Sequence, residues 1–195
     1  MSAAGQTGGG LPVFIALIGI VLGLLVIGML AFIVSAVVFE SEDYGEVEQE
    51  TVQLFHDKIN EQRVDHGAGE VTFHVGLADV ARDHSYAMAD SGIVDHEGPD
   101  GSQPGDRIQR SDQVHCEMVS ENVGKTWYTE ETNTNYGSGV SQYDSPEELA
   151  TGLVNQFMNS ESHREGLLDA RWERAGISIV ITDENRVYTT HKFCP

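Results

Sequence analysis

Three polar side chains could do chemistry, and each has a plain reading beside its chemical one. Glu121 lies in the run 119–126, which alternates like a strand and puts its carboxylate on the face shared by Val119 and Val123. A carboxylate on a buried face is costly unless paired or hydrogen-bonded. Glu121 therefore faces a cleft holding imidazole or a metal, or else it lies on a wet face or beside an arginine. His163 extends the apolar stripe of a helix, Leu149, Leu153 and Phe157, through Ser160 to the helix end, where Arg164 follows. A histidine at a helix C-terminus is also simply a good dipole partner. His96 opens a loop rich in Gly and Pro, within Asp95-His96-Glu97-Gly98, and on its own is an ordinary loop histidine. Ser160 near His163 is a poor hydrolase nucleophile, because both share one helix and no Gly-x-Ser-x-Gly elbow is present.

The other histidines read as structural. His84 falls on the stripe Leu77, Ala81, His84, Met88 and is expected to be a hydrogen-bonded core residue. His56, His66, His74 and His115 read as surface or loop positions, and His191 shares a strand face with Thr189 and Phe193. Arg107 reads as a residue that pairs with a carboxylate and fixes the loop after His96.

The elements that must hold these groups follow from periodicity and caps. Val52, Phe55 and Ile59 recur at helical spacing in a first helix over 49–64, and a second runs over 75–89. Gly98-Pro99-Asp100-Gly101 and Pro104-Gly105 mark 93–108 as a turn-rich loop. The stretch 128–144 is polar and aperiodic. A loop of that length inside a compact domain is usually functional. Ser145 as N-cap, Pro146 in the first turn and Glu148 as the partner of a capping box start a third helix. Two alternating runs, 177–182 and 187–193, joined at Asp183-Glu184-Asn185, read as a hairpin.

Composition limits what the chain does. Among 195 residues, 31 are acidic and 11 basic, for a net charge of −20, whereas a nucleic-acid binder carries a basic footprint. The acidity is spread through the chain and Lys is scarce, which fits adaptation to a salty milieu, where screening removes self-repulsion. From Leu11 to Phe39 no side chain is charged, and these 29 residues exceed the roughly 20 that cross a bilayer. The run reads as an uncleaved transmembrane helix, with a signal peptide cut near Ser35-Ala36 as the weaker alternative. Residues 1–10 read as a disordered tail, 40–50 as an acidic stalk, and 51–195 as one domain. Gly19 and Gly23 form a GxxxG pair, with helix dimerisation as its minority reading. Charge does not settle the orientation of the anchor. Cys116 and Cys194 form one disulfide if the domain is exported and two free thiols if it is cytosolic.

Taken in order, several motifs add up. Asn60-Glu61-Gln62-Arg63, the Leu77/Ala81/Met88 helix, His96 with its Asp100-Gly101 turn and Asp106-Arg107-Ile108 come first. Glu121-Asn122-Val123, Asn159-Ser160-Glu161-Ser162-His163-Arg164 and the closing strands follow. Together they resemble the CAP superfamily of cysteine-rich secretory, antigen-five and pathogenesis-related proteins over about 52–194. The resemblance implies a three-layer α-β-α sandwich with a small, mainly antiparallel sheet, here preceded by one transmembrane helix and lying outside the cell. It also implies a Cys116–Cys194 bridge.

The resemblance further implies a cavity lined by His96, Glu121, His163 and Ser160. Ser160 stands where larger members carry a second acid, so the two-carboxylate set is incomplete. His96, Glu121 and His163 make the ligand set of an open zinc site, so a divalent metal such as zinc is the cofactor such a site would take. Two functions follow from different classes. One is a membrane-anchored module binding an extracellular ligand or protein partner; the alternative is a metal-assisted, peptidase-like hydrolase in the same cavity.

Overall fold

The structure is a computed structural model that describes residues 45–128 and 142–195. The expected tail and span over 1–39 lie outside the described residues, as do 40–44 of the stalk and 129–141 of the polar stretch. Among the described residues no helix is long and apolar enough to cross a membrane.

The fold is mixed α/β. Its elements are α1 (Glu46–Asp65), β1 (Thr72–Phe73), α2 (Val75–Ser91), α3 (Pro104–Gln109), β2 (Ser120–Tyr128), β3 (Gln142–Tyr143), α4 (Pro146–Asn159), α5 (Glu161–Leu168), β4 (Arg174–Ile181) and β5 (Arg186–Cys194). The five strands run in the order β1-β4-β5-β2-β3. β5 pairs antiparallel with β4 and β2, while the two-residue edge strands β1 and β3 pair in parallel.

Strand alternation sends successive side chains of β5 to different helices. On one face His191 meets Phe55 of α1, with ring centroids 5.3 Å apart, and Phe55 in turn meets Phe157 of α4 at 5.9 Å. On the other face Thr190 Oγ1 accepts from Ser85 Oγ of α2 at 2.9 Å, and Met88 packs with Val123 and Tyr188. α2 also closes a cluster of Leu77, Val80, Ile108, Val114 and Cys194.

Several boundaries differ from the sequence expectation. α1 begins at Glu46, so 46–50 of the expected stalk are helical; Glu46 and Glu48 sit in the first turn, where the helix dipole favours carboxylates. The expected loop over 93–108 contains α3. Pro104 starts it, and a capping box links the Gln103 N–H to Asp106 Oδ2 at 2.9 Å. The third helix ends at Ser160, whose extended backbone (φ −96°, ψ 121°) separates α4 from α5. Ser145 does cap α4, its Oγ accepting the Glu148 N–H at 3.3 Å. The hairpin turns through Asn185 at φ 61°, a left-handed conformation that asparagine tolerates.

The Cys116–Cys194 disulfide is formed and joins positions 78 apart in sequence. Closing a loop of that length is worth about 4 kcal/mol in the chain-entropy account.

Gly176 marks the closest approach of helix to sheet. A Cβ there would fall inside contact distance of the Ala78 nitrogen and the Leu77 carbonyl carbon, both backbone atoms. Gly176→Ala is therefore expected to push α2 off β4 and cost about 3 kcal/mol, the upper end for overpacking. Thermal unfolding followed by circular dichroism should show Tm lower by roughly 6–12 °C.

Candidate functional site

Glu121 sits on β2 directly opposite Lys192 of β5. Its side chain is 1% exposed and that of Lys192 fully buried, and the two make an ion pair. Arg107 of α3 reaches both carboxylate oxygens through Nη2, at 3.1 and 3.0 Å. His96 Nδ1 donates to Oε1 at 3.0 Å, and His84 Nε2 stands 3.8 Å from the same oxygen. Both lone-pair-bearing oxygens are thus engaged by cations or imidazole N–H.

The loop holding His96 is built locally. Gly92 ends α2 in the left-handed region (φ 71°), its N–H donating to Met88 O. Asp95 then accepts twice: its carbonyl takes His84 Nε2–H at 2.8 Å and its Oδ1 takes the Glu97 N–H at 3.0 Å. Arg107 Nη2 donates to the His96 carbonyl at 2.9 Å, and Nη1 donates to Ser102 O at 2.7 Å. Arg107 therefore ties the loop to the buried carboxylate, as the sequence suggested.

These contacts set the titration of the pair. Burial pushes the Glu121 carboxyl up, but the His96 bond, Lys192 and Arg107 together hold it down at about 2. Burial lowers Lys192 from its ordinary range, and Glu121 draws it back up. The Glu121 bond raises His96 above its ordinary value, against partial burial.

A group raised on folding adds stability that is complete below its unfolded value and is lost as pH climbs through the folded one. The His96–Glu121 bond is therefore intact at pH 6 and weakens above 6.5. In an NMR titration of the His96 ring the midpoint should lie above 6.5, and Glu121→Gln should bring it to 6.5 or below.

His163 is carried by α5. Because the helix breaks at Ser160, His163 lies in the first turn of α5 and not at the helix end expected from the stripe. There the dipole disfavours imidazolium. Burial, and then the charge of His96, lower its pKa. Its ring packs on Phe157 with centroids 5.2 Å apart, and its buried Nδ1 finds no partner among the described residues.

Asn122, which alternates to the face opposite Glu121, donates to the His163 carbonyl at 3.1 Å. A Cβ on Gly166 of α5 would touch Ser120 and Asn122. α5 thus lies against Asn122 of β2; no hydrogen bond or ion pair joins His163 to Glu121 or His96, although the charge of His96 acts on His163. Ser160 is half-buried, its Oγ 3.5 Å from Ser162 Oγ.

Among the described residues no three His, Cys, Asp or Glu side chains converge as a metal-binding group. Glu121 accepts from His96 Nδ1, the role of a carboxylate that orients an imidazole. His96 and His163 are the imidazoles that could still hold a metal.

Sequence reasoning missed Lys192 as a partner of Glu121. The available signal was that Lys192 is one of only three lysines and falls inside a strand between His191 and Phe193. His56, expected at the surface, is buried and packs edge-on against Phe73 at 5.5 Å. His84 is a hydrogen-bonded core residue, as expected.

The model of the cysteine-rich secretory protein family, CAP, matches residues 56–193. No curated protein matches the chain. Among solved structures, an outer surface protein of Borrelia burgdorferi is similar at TM-score 0.59 and 19% identity, over 74% of this chain and 92% of that one. An extracellular SCP-domain protein of Bacillus anthracis str. Ames follows at TM-score 0.56 and 24% identity, with 75% of this chain and 41% of that chain covered. A cysteine-rich secretory protein of Staphylococcus aureus gives TM-score 0.53 and 18% identity, with 77% and 40% covered. The chain thus spans about two fifths of the length of the last two proteins. At these identities the structures speak to the fold, while the match to the family model covers well over half of the sequence: the chain belongs to the cysteine-rich secretory protein, or CAP, family.

Proposed function

We propose that the chain is a membrane-anchored CAP domain that binds a ligand or protein partner outside the cell, through a hollow formed by His96, Glu121, Ser160 and His163. In this reading residues 11–39 span the membrane once and 40–45 lead out of it. The domain beyond is a three-layer α-β-α sandwich, and its acidity suits a salty medium. Nucleic acid is not among its partners.

One observation carries binding over catalysis. Glu121 is the only carboxylate of the set, both of its oxygens are engaged, and it is held ionised down to about 2. A general acid or base works best with a pKa near the operating pH, and Glu121 is far below it.

A second reading, metal-assisted hydrolysis, is favoured by the His96 geometry alone. Glu121 accepts from Nδ1, the arrangement by which a carboxylate fixes an imidazole so that its other nitrogen can face a metal. A bound divalent cation would supply Lewis acidity; His96 and His163 would hold it.

The two readings separate in one assay. The full chain in detergent, given equimolar zinc and a fluorogenic peptide library, should show no turnover above a protein-free control. Turnover that disappears in both His96→Ala and His163→Ala would replace the binding reading with the hydrolase.

A further inference from the structure

Strand alternation sends His191 of β5 to the face opposite Lys192. There it is fully buried, and neither ring nitrogen finds a partner among the described residues. A neutral imidazole has one donor and one acceptor, and here both go unused.

What surrounds the ring is apolar or positive. Phe55 of α1 stands edge-on to it at 5.3 Å, and Phe193 of β5 lies at 4.0 Å. Across the sheet its paired residues are Asn122 of β2 and Ile177 of β4. The charges that act on it are those of His56 and Arg63, both on α1. Burial first, then His56 and Arg63, hold its pKa well below the ordinary 6.5. An imidazolium there would carry two N–H donors and a charge with nothing to receive them.

The other face of β5 is better prepared for acid. His84 of α2 is buried too, but the Glu121 carboxylate stands 3.8 Å from its Nε2 and can receive its charge. α2 is also held by the Ser85–Thr190 hydrogen bond and by the cluster that joins Leu77 and Val80 to the disulfide-bonded Cys194.

His191 can therefore take a proton only where α1 lifts away and water reaches the ring. We propose that His191 is an acid-sensitive latch, releasing α1 from the sheet as the pH falls while α2 stays docked. A histidine lowered on folding adds stability that is complete above its ordinary 6.5 and is lost as pH falls below it. Release parts Phe55 from Phe157, the ring on which His163 packs. That consequence for the hollow rests on the proposed function; the release itself does not.

Native-state hydrogen exchange of the full chain in detergent, read by mass spectrometry and corrected for the pH dependence of the chemical step, tests it. Opening of the α1 amides should rise relative to those of α2 as the pH falls from 7.5 to 5.0. A ring that stays neutral in the closed state and titrates normally once released accounts for roughly thirty-fold of that rise. His191→Leu should lose this share and keep only what His56 supplies. Where His191→Leu fails to fold, His191→Phe takes its place. Carbon-13 NMR of the wild-type ring needs no variant, and it should show His191 neutral at pH 5. An equal rise in both helices, the same rise in wild type and variant, or a His191 ring that titrates near 6.5 in the folded protein would each overturn the proposal.

Discussion

Glu121→Leu is expected to lower the stability of the domain by about 3–5 kcal/mol, and Tm by roughly 6–20 °C. The reason is what it leaves behind. Lys192 is fully buried and Glu121 is the anion it pairs with, so removing the carboxylate strands an ammonium in the interior. Breaking a buried pair costs far more than the pair is worth, because the survivor keeps its desolvation penalty. Lys192→Met should cost less, since Glu121 keeps Arg107 and His96. The double variant Glu121→Leu, Lys192→Met should recover more than half of the loss, a coupling read from a double-mutant cycle in urea. The pair also fixes the acid limb of the stability curve. A carboxyl depressed on folding adds stability that is complete above its ordinary 4.5 and is lost as pH falls through about 2. Wild-type stability should therefore fall across that interval, and the slope there should flatten in Glu121→Leu.

Arg63→Met is expected to be comparably severe, at about 4–5 kcal/mol. Arg63 is fully buried in the last turn of α1 and donates to four main-chain carbonyls: Gly69 at 2.7 Å, Leu167 at 2.6 Å, Asp169 at 3.1 Å and Trp172 at 3.2 Å. These belong to the turn after α1, to the end of α5 and to its connection to β4, so one guanidinium fastens all three. Methionine fills much of the volume but leaves the carbonyls unpaired, at about 1 kcal/mol or more each. Arg63→Lys should rescue less than half, because an ammonium cannot reproduce the planar fork. Urea unfolding should show a lower midpoint at unchanged m-value for both variants; a midpoint within error of wild type would remove the clamp from the account.

The parts of the fold that are local in sequence were legible. The N-cap Ser145 with Pro146 starts α4 where expected, and alternation through Ile177 and Ile179 finds β4. Arg107 beside a carboxylate was also legible, because its motif follows His96 closely. Partnerships set by register were not. Alternation gives the face on which Glu121 lies, but only the β2–β5 register places Lys192 opposite it, across 71 positions. The break at Ser160 was hidden for a different reason. An apolar stripe read forward from Phe157 passes through Ser160 without a phase error, although one extended residue ends the helix and starts another, and that moves His163 from a helix C-terminus to an N-terminal turn. Arg63, quoted as part of a motif, gave no sign that it would be fully buried, because arginine is rarely so unless its donors are all met.

The most direct test of the account is a carbon-13 titration of the Glu121 side-chain carboxyl in the full chain, with and without equimolar zinc. The account predicts a midpoint near 2, and no displacement of that signal by zinc between pH 5 and 8. A midpoint above 4.5, or a zinc-dependent shift of the Glu121 carboxyl, would contradict a carboxylate already saturated by His96, Arg107 and Lys192.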